Sequence, residues 1–123
     1  MKYLTIILLF LLAPHHLARR ICSKAHIRCN TSEWCYYIEL HEIDLFFDDL
    51  VERSSQKCVK TKDVIDGICG EVENDGFLDM RGEMRATVHS ECTGKWRADK
   101  SPIYKVDLRR TRDIEISSAF TLS

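Results

Sequence analysis

Residues Glu83–Cys92 alternate in character at almost every step. Met84, Ala86, Val88, Ser90 and Cys92 fall on one side, and Glu83, Arg85, Thr87, His89 and Glu91 on the other. A helix repeats every 3.6 residues, so it cannot gather every second side chain on one face; this run is a strand with one buried face. Cys35–Val51 opens with the same period. Tyr36, Ile38 and Leu40 point inward, and Tyr37, Glu39 and His41 point outward. Beyond Glu42 the alternation stops, and Asp44, Asp48 and Asp49 surround Leu45, Phe46 and Phe47. The expectation there is a strand end running into an acidic loop that docks back on the core through its apolar anchors.

Taken in order, Arg19–Arg28 reads as a first strand whose alternation slips at Cys22–Lys24, followed by a polar turn at Cys29–Ser32. Trp34–Glu42 is the second strand, and Leu50–Ser54 a short continuation. From Ser55 to Glu73 the pattern is lost among charged residues punctuated by Gly67 and Gly70. This stretch reads as an irregular excursion or a hairpin, clipped by Cys58–Cys69; closing so short a loop contributes roughly 2–3 kcal/mol. Asn74-Asp75-Gly76 is a tight-turn signal, Phe77–Arg81 a strand with Phe77 inward, and Gly82 a bend or bulge. Turns at Thr93–Lys95 and Ser101-Pro102 lead to Ile103–Arg109, where Tyr104, Val106 and Leu108 oppose Lys105, Asp107 and Arg109. Arg109, Arg110 and Arg112 read as a solvated strand end, Ile114 and Ile116 as an edge-like strand, and Ser117–Ser123 as a fraying tail. Six to eight short strands without an amphipathic helix predict an all-β sandwich.

The compartment follows from the N terminus and the cysteines. Met1–Tyr3 precede an apolar run, Leu4–Ala13, interrupted only by Thr5 and stopped by Pro14, His15 and His16. A basic start and an apolar run of that length describe a secretory signal peptide, cut after Ala13 or Ala18; a spanning helix needs about 20 residues. With the leader taken as residues 1–18, residues 19–123 form one small domain. All six cysteines (Cys22, Cys29, Cys35, Cys58, Cys69 and Cys92) follow the leader. An even count in a small secreted chain implies disulfides, with fifteen possible pairings. Their wide spacings, without a CxxC pair, argue against zinc. Asn30-Thr31-Ser32 is an N-glycosylation acceptor, which requires an exposed turn.

The chemical motifs are sparse. Net charge is −1, with acids and bases interspersed, so there is no basic stripe for nucleic acid. His41 lies near Glu39 and Glu42, and His89 near Glu91. Such pairs can move protons or hold a metal, but outward strand faces carry them as ordinary solvated residues. Asp44, Asp48 and Asp49 lack the glycine and bidentate glutamate of a calcium loop. No nucleophile–base spacing, phosphate loop or dinucleotide fingerprint is present, and no cofactor is expected.

Four stretches in order carry a family resemblance. They are Ile27-Arg28-Cys29-Asn30; Tyr37–Val51, with Glu39-Leu40-His41-Glu42 and Asp48-Asp49-Leu50-Val51; Asn74–Phe77 with Met80-Arg81-Gly82; and Val88-His89-Ser90-Glu91-Cys92. The chain resembles the nematode transthyretin-like family. The resemblance implies a secreted, prealbumin-like sandwich of two antiparallel sheets, with a Cys29–Cys92 disulfide tying the first strand to a later one. With that pair and the Cys58–Cys69 clip in place, Cys22–Cys35 remains. Against the family pattern, Ser55–Glu73 reads as a loop insertion of about a dozen residues, which costs little closure entropy. The chain is shorter than the pattern between Gly82 and Val88. The superfamily's hydrolase of an oxidised urate product needs paired His and Arg and a Tyr-Arg-Gly-Ser end. This chain ends Phe120-Thr121-Leu122-Ser123, so that activity is not implied. Nor is thyroid-hormone binding, which needs a particular tetramer channel.

The function expected from these features is that of a secreted, extracellular, non-enzymatic binding protein of the transthyretin-like type. Its partner would be an extracellular protein, a lipid or a small hydrophobic ligand. The alternative is a small disulfide-rich inhibitor or effector acting through the Ser55–Glu73 loop.

Overall fold

The computed structural model describes residues 17–44, 46–74, 81–108 and 113–122. Within them the chain forms nine strands: β1 (Leu17–Cys29), β2 (Trp34–Ile43), β3 (Asp48–Arg53), β4 (Lys57–Val59), β5 (Asp63–Asn74), β6 (Arg81–Ser90), β7 (Arg97–Lys100), β8 (Tyr104–Asp107) and β9 (Ile114–Leu122). They make two sheets. The smaller runs β5-β1-β9, and the larger runs β3-β2-β6-β7, with β4 also paired to β2 and β8 to β6. The all-β sandwich read from alternation is the observed fold class. Every pairing is antiparallel except one: β1 and β9 run parallel.

The alternating residues place the core between the sheets. Ile21, Ala25, Ile27 and Cys29 of β1 meet Tyr36, Ile38 and Leu40 of β2 and Met84, Ala86 and Val88 of β6, all buried. Val106 and Leu108 close one part of it. Burying each large aliphatic side chain here contributes about 1.5–3 kcal/mol. The apparent slip at Cys22–Lys24 is no slip. Ser23 occupies an inward position at 1% exposure, and its hydroxyl has no hydrogen-bond partner among the described residues. Gly82 is buried inside β6 rather than at a bend; a Cβ there would sit 3.2 Å from Val106. Among the described residues only Gly94 takes a positive φ, +89°, in the turn after Cys92.

Several expectations are corrected. Ser55–Glu73 is not an irregular loop, because it holds β4 and most of β5, and these two strands lie in different sheets. Strand β5 runs 12 residues and pairs with β1 along almost its whole length. Its pattern was hidden because Gly67 and Gly70 occupy strand positions, not turns. At Gly70 a Cβ would meet Val51 Cγ1 at 2.5 Å, so β3 packs directly over its backbone. The tail does not fray through Leu122. Strand β9 alternates buried and exposed along nine residues beside β1, with Phe120 and Leu122 in the core. The acidic loop does not dock on the core either: Phe46 and Phe47 are 82% and 72% exposed at the β2–β3 hairpin. A two-strand hairpin projects its tip away from the sheet body and leaves these rings nothing to pack on. Strand β7 was not anticipated.

The disulfides follow the register. Cys22 lies opposite Cys69 across β1–β5, and Cys35 opposite Cys58 across β2–β4, each pair bonded with Cα atoms 4.0 Å apart. Cys29 is joined to Cys92, the pair implied by the resemblance, at a Cα separation of 5.9 Å. This bond ties the end of β1, in the smaller sheet, to the turn that follows β6 of the larger. The Cys58–Cys69 and Cys22–Cys35 pairings are therefore corrected. Each would have joined residues of different sheets, whereas each of these cysteines has a bonded partner directly opposite in its own sheet. Strand β1 starts at Leu17, so a leader ending at Ala18 overlaps its first two residues. The rest of the leader, the Asp75-Gly76 turn with Phe77–Met80, Leu45 and the cluster Arg109–Arg112 lie outside the described residues.

Candidate functional site

The outer face of the larger sheet is set by cross-strand register. Directly opposed residues share a face. Arg53, Glu39, Thr87 and Lys100 therefore form one row across β3, β2, β6 and β7. Tyr37, His89 and Ala98 form a neighbouring row, and Leu50, His41 and Arg85 another. Strand β2 thus sends Tyr37, Glu39 and His41 outward, as alternation predicts.

Glu39 departs from an ordinary solvated face, because it is only 6% exposed. A buried carboxylate needs compensation. Arg53 supplies it, donating from Nε and Nη2 to Glu39 Oε2 at 3.2 and 2.8 Å. His89 Nε2 is in direct contact with Glu39 Oε1. His41 Nε2 lies 3.7 Å from Oε2. Burial pushes this carboxyl up, but the Arg53 hydrogen bonds and the charges of His89, Arg53 and His41 outweigh it, holding Glu39 below the usual carboxylate range. The same contact raises the Arg53 guanidinium further. His41 Nδ1 is buried without a partner among the described residues.

Aromatic rings flank this group. Tyr37 stacks on His89 with centroids 4.5 Å apart and planes 8° from parallel. Trp96 leans on Tyr37 at 5.8 Å, and the Arg53 guanidinium lies 5.7 Å from the Tyr37 centroid. Between the rows opens a recess of about 180 Å³, lined by Glu39, His41, Asp48, Arg85, Thr87, His89, Ala98 and Lys100. Arg85 Nε donates to the Ser101 carbonyl, which holds its fork in place. A wider depression of about 540 Å³ lies elsewhere, over Cys69, Gly70 and Val51.

A second polar cluster is structural. Asp66 Oδ2 accepts from the Tyr36 hydroxyl and from Lys57 Nζ, both at 2.7 Å, and Oδ1 accepts from the Gly67 amide at 2.8 Å. Burial pushes the Asp66 carboxyl up, but these donors outweigh it and hold it low. Burial and the Asp66 charge push the Tyr36 phenol well up. This knot spans both sheets, linking β2 and β4 to β5.

Asn30 is exposed in the turn between β1 and β2, where Thr31 Oγ1 donates to the Cys92 carbonyl at 3.3 Å. Asp44, Asp48 and Asp49 lie at the β2–β3 hairpin, and of these Asp48 lines the recess. His41 and His89, read from the sequence as neighbours of different glutamates, both converge on Glu39. Arg53, Arg85, Lys100, Tyr37 and Trp96 were not singled out. Arg53, Arg85 and Lys100 are found only from the pairing of β2 with β3, of β2 with β6 and of β6 with β7, and Trp96 precedes β7. Among the described residues, no three His, Cys, Asp or Glu side chains are set to hold a metal ion, and no helix is long and apolar enough to cross a membrane. Comparison with protein-family models, with curated proteins and with solved structures finds no match for this chain.

Proposed function

We propose that the protein is a secreted, extracellular, non-enzymatic binding module of the transthyretin-like type, and that its binding face is the outer face of the larger sheet. The observation that carries this is Glu39: a nearly buried carboxylate, at 6% exposure, within a recess of titratable side chains on a face that alternation alone would leave solvated. Convergent polar groups in a concave site are the usual mark of a binding surface. Three disulfides among the described residues support an oxidising destination. A binding role is favoured over proton transfer because Arg53 holds Glu39 ionised, and a carboxylate kept well below neutrality is a poor general base. Seven of the eight lining residues carry polar or charged groups while the surface they turn into the recess is mostly carbon, so the ligand expected is one with both a polar group and an apolar part. The rival reading, an inhibitor or effector working through Ser55–Glu73, draws no support from an irregular loop, since that stretch is largely strand built into both sheets.

The test is a small-molecule thermal-shift screen on the oxidised protein. Ala98, exposed at the mouth of the recess, is changed to Trp to fill it; Lys24, on the outer face of the smaller sheet, is changed to Ala as a control. A ligand at 100 times its Kd stabilises by about 2.7 kcal/mol. Hits should vanish in Ala98→Trp and persist in Lys24→Ala. Hits indifferent to Ala98→Trp would place binding elsewhere and overturn the proposal.

A further inference from the structure

We propose that the recess is an oxyanion site that takes the sulfate or phosphate-ester group of a small extracellular molecule; this rests on the binding reading above and names the chemistry of its ligand. The first argument is charge. Glu39 is matched by Arg53, through two hydrogen bonds to one oxygen. Of the remaining charged residues in the lining, Arg85 and Lys100 are cationic and Asp48 is anionic. Among the described residues none of these three is engaged in an ion pair within 4.0 Å. The lining therefore holds one cation in excess before either imidazole takes a proton.

The second argument is donor geometry. Thr87 and Lys100 come from one cross-strand row and Arg85 from the next, while the Nε2 atoms of His41 and His89 are turned to Glu39. Donors arriving from two rows suit a tetrahedral anion, which offers oxygens in several directions, better than a flat carboxylate with two. Arg85 is anchored at Nε by the Ser101 carbonyl, and its two terminal nitrogens remain for a bidentate contact. The third argument is size. About 180 Å³ is the share of roughly six liquid waters, enough for a sulfate or phosphate and the carbon that bears it, and short of a drug-sized pocket.

The experiment is an amide ¹H–¹⁵N titration at constant ionic strength with four anionic probes and two controls. The anions are inorganic sulfate, inorganic phosphate, glucose 6-sulfate and glucose 6-phosphate; the controls are methylammonium and glucose. Saturable shifts centred on Arg85, Thr87 and Lys100 are expected with the anions and absent with the controls. Esters binding more tightly than the free ions would mark the sugar ester as the source, and equal affinity the bare oxyanion. Lys100→Gln and Arg85→Gln should each weaken binding about tenfold, the loss of one charge-assisted contact, with the circular dichroism spectrum unchanged. Lys100 lies on a short outer strand and is exposed, so its variant tests the proposal even if Arg85→Gln fails to fold. Saturable shifts with methylammonium or glucose in place of the anions would overturn the oxyanion assignment and leave the recess a binding site. Absence of any shift in the recess with all six probes would overturn the assignment as well; the proposed binding face then stands or falls on the Ala98→Trp screen.

Discussion

Replacing Glu39 by Gln tests the electrostatic account of the outer face. The variant keeps the shape and removes the charge. In the native protein Oε2 accepts two hydrogen bonds from Arg53, and Oε1 touches His89. Hydrogen bonds to an ionised acceptor contribute about 1.5–3 kcal/mol each when buried, and neutral ones about half that. Here the Arg53 side chain is 57% exposed, so water replaces part of what the variant loses and the lower end applies. The expected cost is about 1–2 kcal/mol at neutral pH, each kcal/mol lowering Tm by about 4–8 °C in a domain of this size. The pH dependence carries the stronger test. Glu39 has a folded pKa below its unfolded value of about 4.3. Its stabilisation is therefore fully present above that value and is lost as pH falls through the lower, folded one. Urea unfolding of wild type and Glu39→Gln at a series of pH values should show a gap at about pH 5 that narrows below about pH 4. A variant as stable as wild type at pH 7 would refute the reasoning, as would a gap unchanged at low pH.

Three further outcomes are expected. Non-reducing peptide mapping of the exported protein should recover Cys22–Cys69, Cys29–Cys92 and Cys35–Cys58; a Cys58–Cys69 peptide would contradict the register. Phe120→Ala should cost about 3–5 kcal/mol by urea unfolding, because Phe120 is 6% exposed at the core edge of β9, and a smaller effect would mean that β9 frays. The double change Phe46→Ser and Phe47→Ser should alter stability by less than about 0.5 kcal/mol, since both rings stand in solvent; a loss of several kcal/mol would mean that the hairpin tip docks on the core.

What could be read from the chain was whatever depends on neighbours in sequence. The inward rows Tyr36, Ile38, Leu40 and Met84, Ala86, Val88 follow from a period of two, and each is buried. Strands β5 and β9 obey the same period but were masked, because inward positions carry Gly70 and Ser118, small residues without an apolar signature. Their strand character comes from β1, which pairs with both and lends them its register. The exposed Phe46 and Phe47 show the opposite failure, since an apolar side chain signals a core only if the fold brings a core to it. The disulfides failed by proximity in sequence: Cys58 and Cys69 are close along the chain, but β4 and β5 belong to different sheets.

The recess is illegible for a related reason. Alternation assigns Glu39 to the outer face correctly, but period says nothing about what lies beside a residue on that face. Arg53 comes from β3, His89 from β6 and Lys100 from β7, so the environment of one carboxylate is assembled from four strands. A solvated glutamate and a counter-ioned one have identical local sequence. What separates them is a β2–β3 register that sets Arg53 directly opposite Glu39, with a shift between Leu40 and His41 that then places Leu50 opposite His41. Removing that shift while His41 stays opposite Leu50 would set Glu52 opposite Glu39 and Arg53 opposite Ile38, on the other face, and leave the carboxylate buried without its guanidinium, which is why β3 register and the charge of the recess stand or fall together.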